Sequence, residues 1–110
     1  MSIFTKIIDR TADADIIYEN QDVIVIKDIA PQAPIHLLVI PKVEIKSLQA
    51  VKDNELSVVS QMIKAVQIVA KNLNIEKAYR LVVNNGKQAG QSIFHLHFHL
   101  LAGKNMTENF

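Results

Sequence analysis

The sequence predicts an α+β domain in which a mostly antiparallel, five-stranded sheet packs with one long helix and a short N-terminal helix. One long stretch has apolar residues at helical spacing, and short apolar segments bounded by turn residues both precede and follow it. Strands on both sides of one long helix are typical of α+β domains. With 110 residues, the chain has the size of one domain. We expect residues 1–110 to form it, with 104–110 as an irregular tail.

Two helices are predicted. Residues 3–10 show helical spacing, and Asp53 is expected to cap a longer helix over residues 54–72. The long helix has two adjacent apolar stripes, although one core face requires only the first. The second stripe therefore either contacts another subunit or lies deeper in the chain's own core. The first stripe comprises Leu56, Val59, Ile63, Val66, Ala70 and Leu73, and the second Val58, Met62, Ala65 and Val69.

Five strands are predicted from short apolar segments between turn residues. Pro31 and Pro34 mark the loop before the third strand, because proline cannot donate to a sheet ladder. The loop at 85–92 holds two of the three glycines of the chain, which indicates a need for backbone freedom there. The strands are expected at residues 16–18, 23–28, 36–40, 79–84 and 93–101.

Composition excludes several classes of function. The net charge of +1 gives no broad electrostatic attraction for nucleic acid. Cysteine is absent, which excludes disulfides, thiol catalysis and cysteine metal sites. Charged residues interrupt the first ten positions, and no apolar stretch approaches the roughly 20 residues that span a bilayer. We therefore expect a cytoplasmic protein that binds neither nucleic acid nor membrane.

Three of the four histidines alternate in the segment His95-Leu96-His97-Phe98-His99. In a strand, the three imidazoles would share an open face while the apolar side chains enter the core. The array could be a solvated face, a metal site or a nucleophilic centre. The outer histidines would have Cα atoms about 13 Å apart, which strains convergence on one ion with bonds of about 2 Å. The spacing therefore favours a central nucleophilic imidazole.

The loop before this strand indicates what such a nucleophile attacks. Gly90-Gln91-Ser92 can direct backbone N–H groups and a hydroxyl at an anion. Phosphoryl transfer requires mainly positioning and charge stabilisation, and a covalent intermediate divides it into two easier steps. The combination of loop and array predicts attack of a histidine on phosphorus.

Residues 90–101 resemble the histidine-triad signature, His-x-His-x-His followed by two apolar residues. The preceding Gly-Gln-Ser and the following Leu-Ala-Gly-Lys-Asn-Met are most similar to the Hint branch, the histidine-triad nucleotide-binding proteins. The resemblance implies a HIT-like fold and a homodimer with paired long helices. Matching segments, in order and at family spacing, are 3–8, 28–34, 36–42 and 79–84.

The resemblance implies one catalytic site that uses all four histidines. His97 corresponds to the nucleophile, His95 and His99 to its flanking histidines, and His36 to a supporting histidine. Ser92 corresponds to a hydroxyl that assists the leaving group.

The resemblance also implies a nucleotide pocket around these groups. Its Asp28 would bind the ribose hydroxyls, which suits the two acceptor oxygens of a carboxylate. The phosphate positions are Asn84, Gly90, Gln91 and Ser92 beside His97 and His99, and the apolar walls are Ile3, Phe4, Ile7, Ile26, Ile29 and Leu38.

The activity implied is hydrolysis of purine nucleoside 5′-phosphoramidates or adenylates to the nucleoside monophosphate through a nucleotidyl-histidine. Two alternatives remain: a dinucleoside polyphosphate hydrolase, and a nucleotide-binding partner protein without a catalytic role. Many bacterial members carry a Cys-x-x-Cys zinc site near the N-terminus, where this chain has Ser2 and Thr5, and Glu44 replaces the associated histidine. We therefore expect no metal and no cofactor. The tryptophan-containing tail of many Hint-branch members is also absent.

Overall fold

A computed structural model describes residues 1–109 and confirms the predicted α+β class. The five strands form one antiparallel sheet in the order β1-β2-β3-β5-β4. Phe110, the last residue of the predicted tail, lies outside the described residues. The elements are α1 (Ile3–Ile8), β1 (Ile16–Glu19), β2 (Val23–Lys27), β3 (Ile35–Pro41), α2 (Leu56–Asn72), β4 (Arg80–Val82) and β5 (Phe98–Ala102).

Both faces of the central strands are covered, each by a different helix. In β2, Val23 and Val25 pack in the core cluster that contains α2, whereas Ile24 and Ile26 pack with α1. Successive side chains of a strand point to opposite faces, so a strand buried on both faces is apolar at nearly every position. The sheet therefore separates a larger core under α2 from a smaller core under α1.

The orientation of α2 decides between the two interpretations of its second stripe. Met62, Ala65 and Val69, which belong to the second stripe, lie in the core under α2 together with Val66 of the first. With Ala70, these residues follow the i, i+3, i+4, i+7, i+8 spacing of one helical face. The second stripe is thus part of the chain's own core and is not a surface for another subunit. The exposed apolar residues of this region are instead Leu56, Ile63 and Leu73.

Several element ends also differ from the sequence predictions. Asp53 does not cap α2: it begins a short 3-10 turn, Asp53–Glu55, that leads into the helix. The turn is held by the Glu55 carboxylate, which accepts a hydrogen bond from the Lys52 backbone N–H at 3.0 Å. At the other end of the chain, Ser2 caps α1 by accepting a hydrogen bond from the Thr5 backbone N–H.

The last strand begins five residues later than predicted, at Phe98. Residues 93–97 form an irregular segment, and the Leu96 backbone N–H donates to the Ile45 carbonyl outside the sheet at 2.7 Å. Only His99 of the three alternating histidines therefore lies within a strand. In residues 1–109, no helix has the length and apolar character required to cross a membrane.

The corrected orientation of α2 can be tested by truncating one buried side chain. Met62 is fully buried, so we expect Met62→Ala to lower the free energy of unfolding by about 2–5 kcal/mol through lost contacts and a cavity. Lys64→Ala, on the exposed face of the same helix, should change it by less than about 0.5 kcal/mol. Urea denaturation at one fixed protein concentration measures both. A loss below about 1 kcal/mol for Met62→Ala would contradict this packing.

Candidate active site

The pairing of β3 with β5 brings two distant histidines together on the α1 face of the sheet. Leu38 lies opposite His99 and His36 lies opposite Leu101, so His36 and His99 are diagonal neighbours. Their ring centroids are 5.2 Å apart, and the ring of His97 lies 5.1 Å from that of His99. Phe4 of α1 packs edge-on against His97 at 5.1 Å.

Hydrogen bonds fix the tautomers of His36 and His99. The Gln32 backbone N–H donates to Nδ1 of His36 at 3.0 Å, so neutral His36 carries its proton on Nε2. That Nε2–H faces Nδ1 of His99 at 2.9 Å and a carboxylate oxygen of Asp28 at 3.3 Å. Because Nδ1 of His99 is then an acceptor, neutral His99 carries its own proton on Nε2.

The ring of His97 is fixed in the opposite tautomer. Its Nδ1 lies 2.8 Å from the backbone carbonyl oxygen of His95, which can only accept a hydrogen bond. The proton of neutral His97 is therefore on Nδ1, and Nε2 keeps its lone pair. A nitrogen with an available lone pair is the atom that a nucleophilic histidine requires.

His95 does not stand on an open face, as the strand pattern predicted, because it is completely buried. Its Nε2–H donates to the Pro41 carbonyl at 2.8 Å, and its Nδ1 accepts from the Ser2 hydroxyl at 2.7 Å. The irregular segment 93–97 turns its ring away from the row that a continuous strand would form. His95 therefore supports the site from inside the protein.

The environment of the three alternating histidines favours their neutral forms. Burial is the largest influence on each, and it lowers the pKa values of His95, His97 and His99 below the ordinary value of 6.5. The hydrogen bond to the His95 carbonyl and the nearby Asp28 carboxylate act in the opposite direction on the pKa of His97, but they are smaller effects. Near neutral pH, the lone pair on Nε2 of His97 is therefore available.

A cavity of about 480 Å³ opens beside His97 and His99 and extends between α1 and the sheet. It contains most of the predicted nucleotide-binding residues. A larger depression of about 720 Å³ lies among residues 74–78 and 103–105, and none of its lining residues is a histidine. The predicted residues that line the 480 Å³ cavity are Ile3, Phe4, Ile7, Ile26, Asp28, Ile29, Leu38, Asn84, Gly90, Ser92, His97 and His99.

The sequence analysis missed four residues of this cavity wall. Asp13 and Ala14 precede β1, Lys27 ends β2, and Ile93 lies in the irregular segment before β5. Asp13 and Lys27 lie outside the motifs to which the sequence analysis assigned a chemical role. Only the fold brings them to the cavity, so no sequence pattern indicated them.

Gln91 does not line the cavity, although it was predicted at a phosphate position. Its side chain is buried and donates to the Lys46 and Ile93 carbonyls, while its Oε1 accepts from the Gly86 N–H at 2.8 Å. Its own N–H donates to the Gly86 carbonyl. Gln91 therefore braces the loop, because its side-chain amide and its backbone N–H are both engaged within the protein.

The part of the cavity wall that carries the predicted phosphate positions includes a glycine with an unusual backbone conformation. Gly90 has φ of +96°, a conformation that side-chain-bearing residues rarely adopt. A Cβ atom at this position would lie 3.5 Å from the amide nitrogen of Asn84. Gly90 thus allows the loop to turn while Asn84 and Ser92 border the same cavity.

Comparisons with known proteins agree with this geometry. The HIT domain family matches residues 9–106. This chain belongs to that family. A HIT-like protein of Chlamydia muridarum is 47% identical over 102 residues, which cover 93% of this chain and 81% of the relative.

Solved structures show the same HIT fold. A HIT family hydrolase from Clostridium thermocellum has a TM-score of 0.94 and 43% identity, covering 98% of this chain and 95% of that one. A histidine triad nucleotide-binding protein from Candida albicans has a TM-score of 0.82 and 27% identity, and the match covers 100% of this chain and 86% of that one. The fold of this HIT domain is therefore shared with these solved structures.

One group of side chains in this HIT domain has the composition of a metal site. Ligand atoms of Asp28, His36 and His99 lie within 4.8 Å of one another. The Gln32 N–H, however, occupies Nδ1 of His36 and thereby places the proton of neutral His36 on the Nε2 that would face an ion. Binding a metal would require loss of this proton and reversal of the tautomer. The hydrogen bonds therefore favour a protonated Nε2 of His36, shared between His99 and Asp28, over a metal ion at this position.

The electrostatics of the site predict how His97 titrates. Since burial lowers its pKa, we expect the ring to be still mostly neutral at pH 6.5 and to protonate at lower pH. NMR titration of its ring proton, assigned with a His97→Asn variant, measures the midpoint. In urea the same ring should titrate near 6.5. Because the unfolded chain binds the proton more readily, stability should fall as the pH drops below 6.5. A native midpoint at or above 6.5 would contradict this environment.

Proposed function

We propose that this protein hydrolyses purine nucleoside 5′-phosphoramidates and related adenylates to the nucleoside monophosphate. The observation that carries the proposal is that His97, whose Nε2 keeps its lone pair, lines a cavity of nucleotide size. The relatives described as a hydrolase and as a nucleotide-binding protein support the same chemistry.

The cavity offers separate environments for the parts of a nucleotide. Apolar side chains of Phe4, Ile7, Ile26 and Leu38 form the wall assigned to the base. Asp28 is assigned to the ribose hydroxyls: one of its carboxylate oxygens accepts from the Ala30 N–H, and the other lies beside His36. This anchoring holds the carboxylate in one orientation.

The α-phosphate is assigned to the opposite end, where Asn84, Gly90 and Ser92 meet the two half-buried histidines. Nε2 of His97 attacks phosphorus, and the bond between phosphorus and the leaving amine breaks. The positive charge that develops on the imidazole is stabilised by the Nδ1–H bond to the His95 carbonyl. The Ser92 hydroxyl donates a proton to the departing amine and regains one from solvent.

The neighbouring histidines complete the cycle. The Nε2–H of neutral His99 is a donor at the cavity wall and is assigned to a phosphate oxygen. His36 and Asp28 hold that ring in place from behind. Water then attacks the nucleotidyl-histidine, and the phosphorus–nitrogen bond to His97 breaks to release the monophosphate.

Replacement of His97 tests the proposed nucleophile. We expect His97→Asn to bind nucleoside monophosphate within about tenfold of wild type, since Asp28 and the apolar wall remain. Turnover should fall by several orders of magnitude because the covalent route is lost. Acid-free quenching during turnover of a radiolabelled adenylate should leave label on the wild-type protein and none on the variant; the bond should be acid-labile.

Ser92→Ala is the matched control, because it removes an assisting hydroxyl and keeps the nucleophile. Turnover of the Ser92→Ala variant should fall roughly 10- to 1000-fold, and the larger decrease is expected for amine leaving groups. Label on another residue of the His97 variant, or turnover above a few per cent of wild type, would refute the mechanism. Faster cleavage of a diadenosine polyphosphate than of a phosphoramidate would instead identify a polyphosphate hydrolase.

We also propose that the chain is a homodimer that pairs through β4. This strand lies at one edge of the sheet, and its Leu81 lies opposite Leu100 and hence on the face that α2 covers. Leu81 is exposed, as is Ile63 on the outer side of α2. A second copy of this chain at the β4 edge would cover such apolar surface and extend the sheet.

The dimer proposal is tested at the two edges of the sheet. Wild type should elute near 25 kDa, twice its 12.3 kDa mass. Leu81→Glu places a charge in the proposed interface and should shift the protein toward monomer at micromolar concentration. Ile16→Glu, at an exposed position of the opposite edge strand, should remain dimeric. Light scattering measures the mass, and a monomeric wild type would refute the proposal.

A further inference from the structure

A cluster of hydrogen bonds outside the cavity joins α1 to the segment after β3. One carboxylate oxygen of Glu44 accepts from the Ser2 backbone N–H at 2.9 Å and from the Thr5 hydroxyl at 2.5 Å. Ser2 Oγ accepts from the Thr5 N–H at 3.2 Å and donates to Nδ1 of His95 at 2.7 Å. We call Ser2, Thr5 and Glu44 the clasp. Its members do not line the cavity.

The clasp holds helix α1, which is too short to be stable without tertiary contacts. Helix α1 has six residues, far fewer than the roughly 12–15 that an isolated helix needs in water. Its inner side carries Phe4 and Ile7, which are buried in the small core and border the cavity. The position of this cavity wall therefore depends on contacts at the ends of α1, and the clasp supplies those at its N-terminal end.

A second connection leads from the clasp to the proposed nucleophile. The ring of His95 is held between the Ser2 hydroxyl and the Pro41 carbonyl, and the backbone carbonyl of His95 accepts from Nδ1 of His97. His95 lies in the irregular segment that precedes β5, where no ladder of strand hydrogen bonds fixes the backbone. The His95 ring is thus one constraint on the carbonyl that orients His97, beside the bond from the Leu96 N–H of the same peptide group to the Ile45 carbonyl.

We propose that the clasp is a positioning device with two arms, one for each half of the site. Glu44 fixes α1 as the wall of the nucleoside pocket, and Ser2 fixes His95 and through it His97. Both are positioning residues, since neither contacts the cavity. The effect of the Ser2 arm on catalysis rests on the proposed function, whereas the effect of the Glu44 arm on nucleotide binding can be measured without it.

The chemistry of Glu44 suits a permanent clasp. Two hydrogen bonds lower the pKa of Glu44 to about 2: the bond from the Thr5 hydroxyl has the larger effect and the bond from the Ser2 N–H the smaller one. The carboxylate therefore stays ionised while the histidines of the site titrate. His95 also lies 3.8 Å from Glu44, but the shorter bond from the Ser2 hydroxyl occupies its Nδ1.

The Glu44 arm is tested by comparing substitutions at one position. Glu44→Ala removes the acceptor of two hydrogen bonds, and we expect Kd for adenosine monophosphate to rise roughly five- to thirtyfold. Glu44→Gln keeps an amide oxygen at the same position and should stay within about threefold of wild type. Isothermal titration calorimetry gives Kd, and thermal melting verifies that each variant is folded at the assay temperature.

Glu19→Ala is the matched control for loss of a surface carboxylate. Glu19 binds Arg10, just after α1, and Lys42, and it is not a member of the clasp. Its loss should lower the melting temperature slightly and leave Kd within about threefold. If Glu19→Ala weakens nucleotide binding as much as Glu44→Ala, general loosening of α1 explains the effect and the proposal is wrong.

The Ser2 arm is tested by Ser2→Ala, which keeps the backbone N–H bond to Glu44. Loss of the α1 cap should raise Kd by less than Glu44→Ala does, while the single-turnover rate of nucleotidyl transfer to His97, measured at saturating substrate, falls roughly 5- to 50-fold through lost orientation. An unchanged single-turnover rate in Ser2→Ala would overturn the proposal for the Ser2 arm. If Glu44→Gln binds adenosine monophosphate as weakly as Glu44→Ala does, the proposal for the Glu44 arm is overturned. A wild type that binds adenosine monophosphate but cleaves no phosphoramidate would refute the proposed function alone, because the binding comparison at Glu44 would still stand.

Discussion

The hydrogen bond from Nδ1 of His97 to the His95 carbonyl is the constraint on which the site depends. It determines which ring nitrogen carries the proton, and so which one keeps a lone pair. Rotation of the ring or reversal of its tautomer would direct an N–H group at the phosphate positions. The neutral charge state follows from burial, which lowers the pKa of His97. Geometry and charge thus act on the same atom.

The two-sided sheet makes this constraint possible. The face under α2 carries the larger core, including Leu96 and Leu100, and anchors the segments on either side of His97. The other face carries the smaller core under α1, and the cavity opens at its border. A single covered face would leave the histidines in water, where their pKa values would be closer to ordinary. The short helix α1 is therefore as important to the site as the long one.

Sequence periodicity predicted the α+β class and the burial of Leu96, Phe98 and Leu100, because these depend on local alternation. It misplaced His95, since the pattern assumes a continuous strand and the chain bends before Phe98. The contact between His36 and His99 joins residues 63 positions apart and was anticipated only through the family resemblance. The core-facing side of α2 was also ambiguous, as two apolar stripes offered similar faces. Long-range packing decided each of these points.

The tautomer of His97 is the most direct measure of whether the backbone carbonyl of His95 controls the site. Long-range proton–nitrogen correlation NMR on ¹⁵N-histidine-labelled protein distinguishes protonated from unprotonated ring nitrogens. At a pH where the ring is neutral, the structure predicts a proton on Nδ1 and none on Nε2. A proton on Nε2, or rapid exchange between both tautomers, would contradict the proposed presentation of the nucleophile.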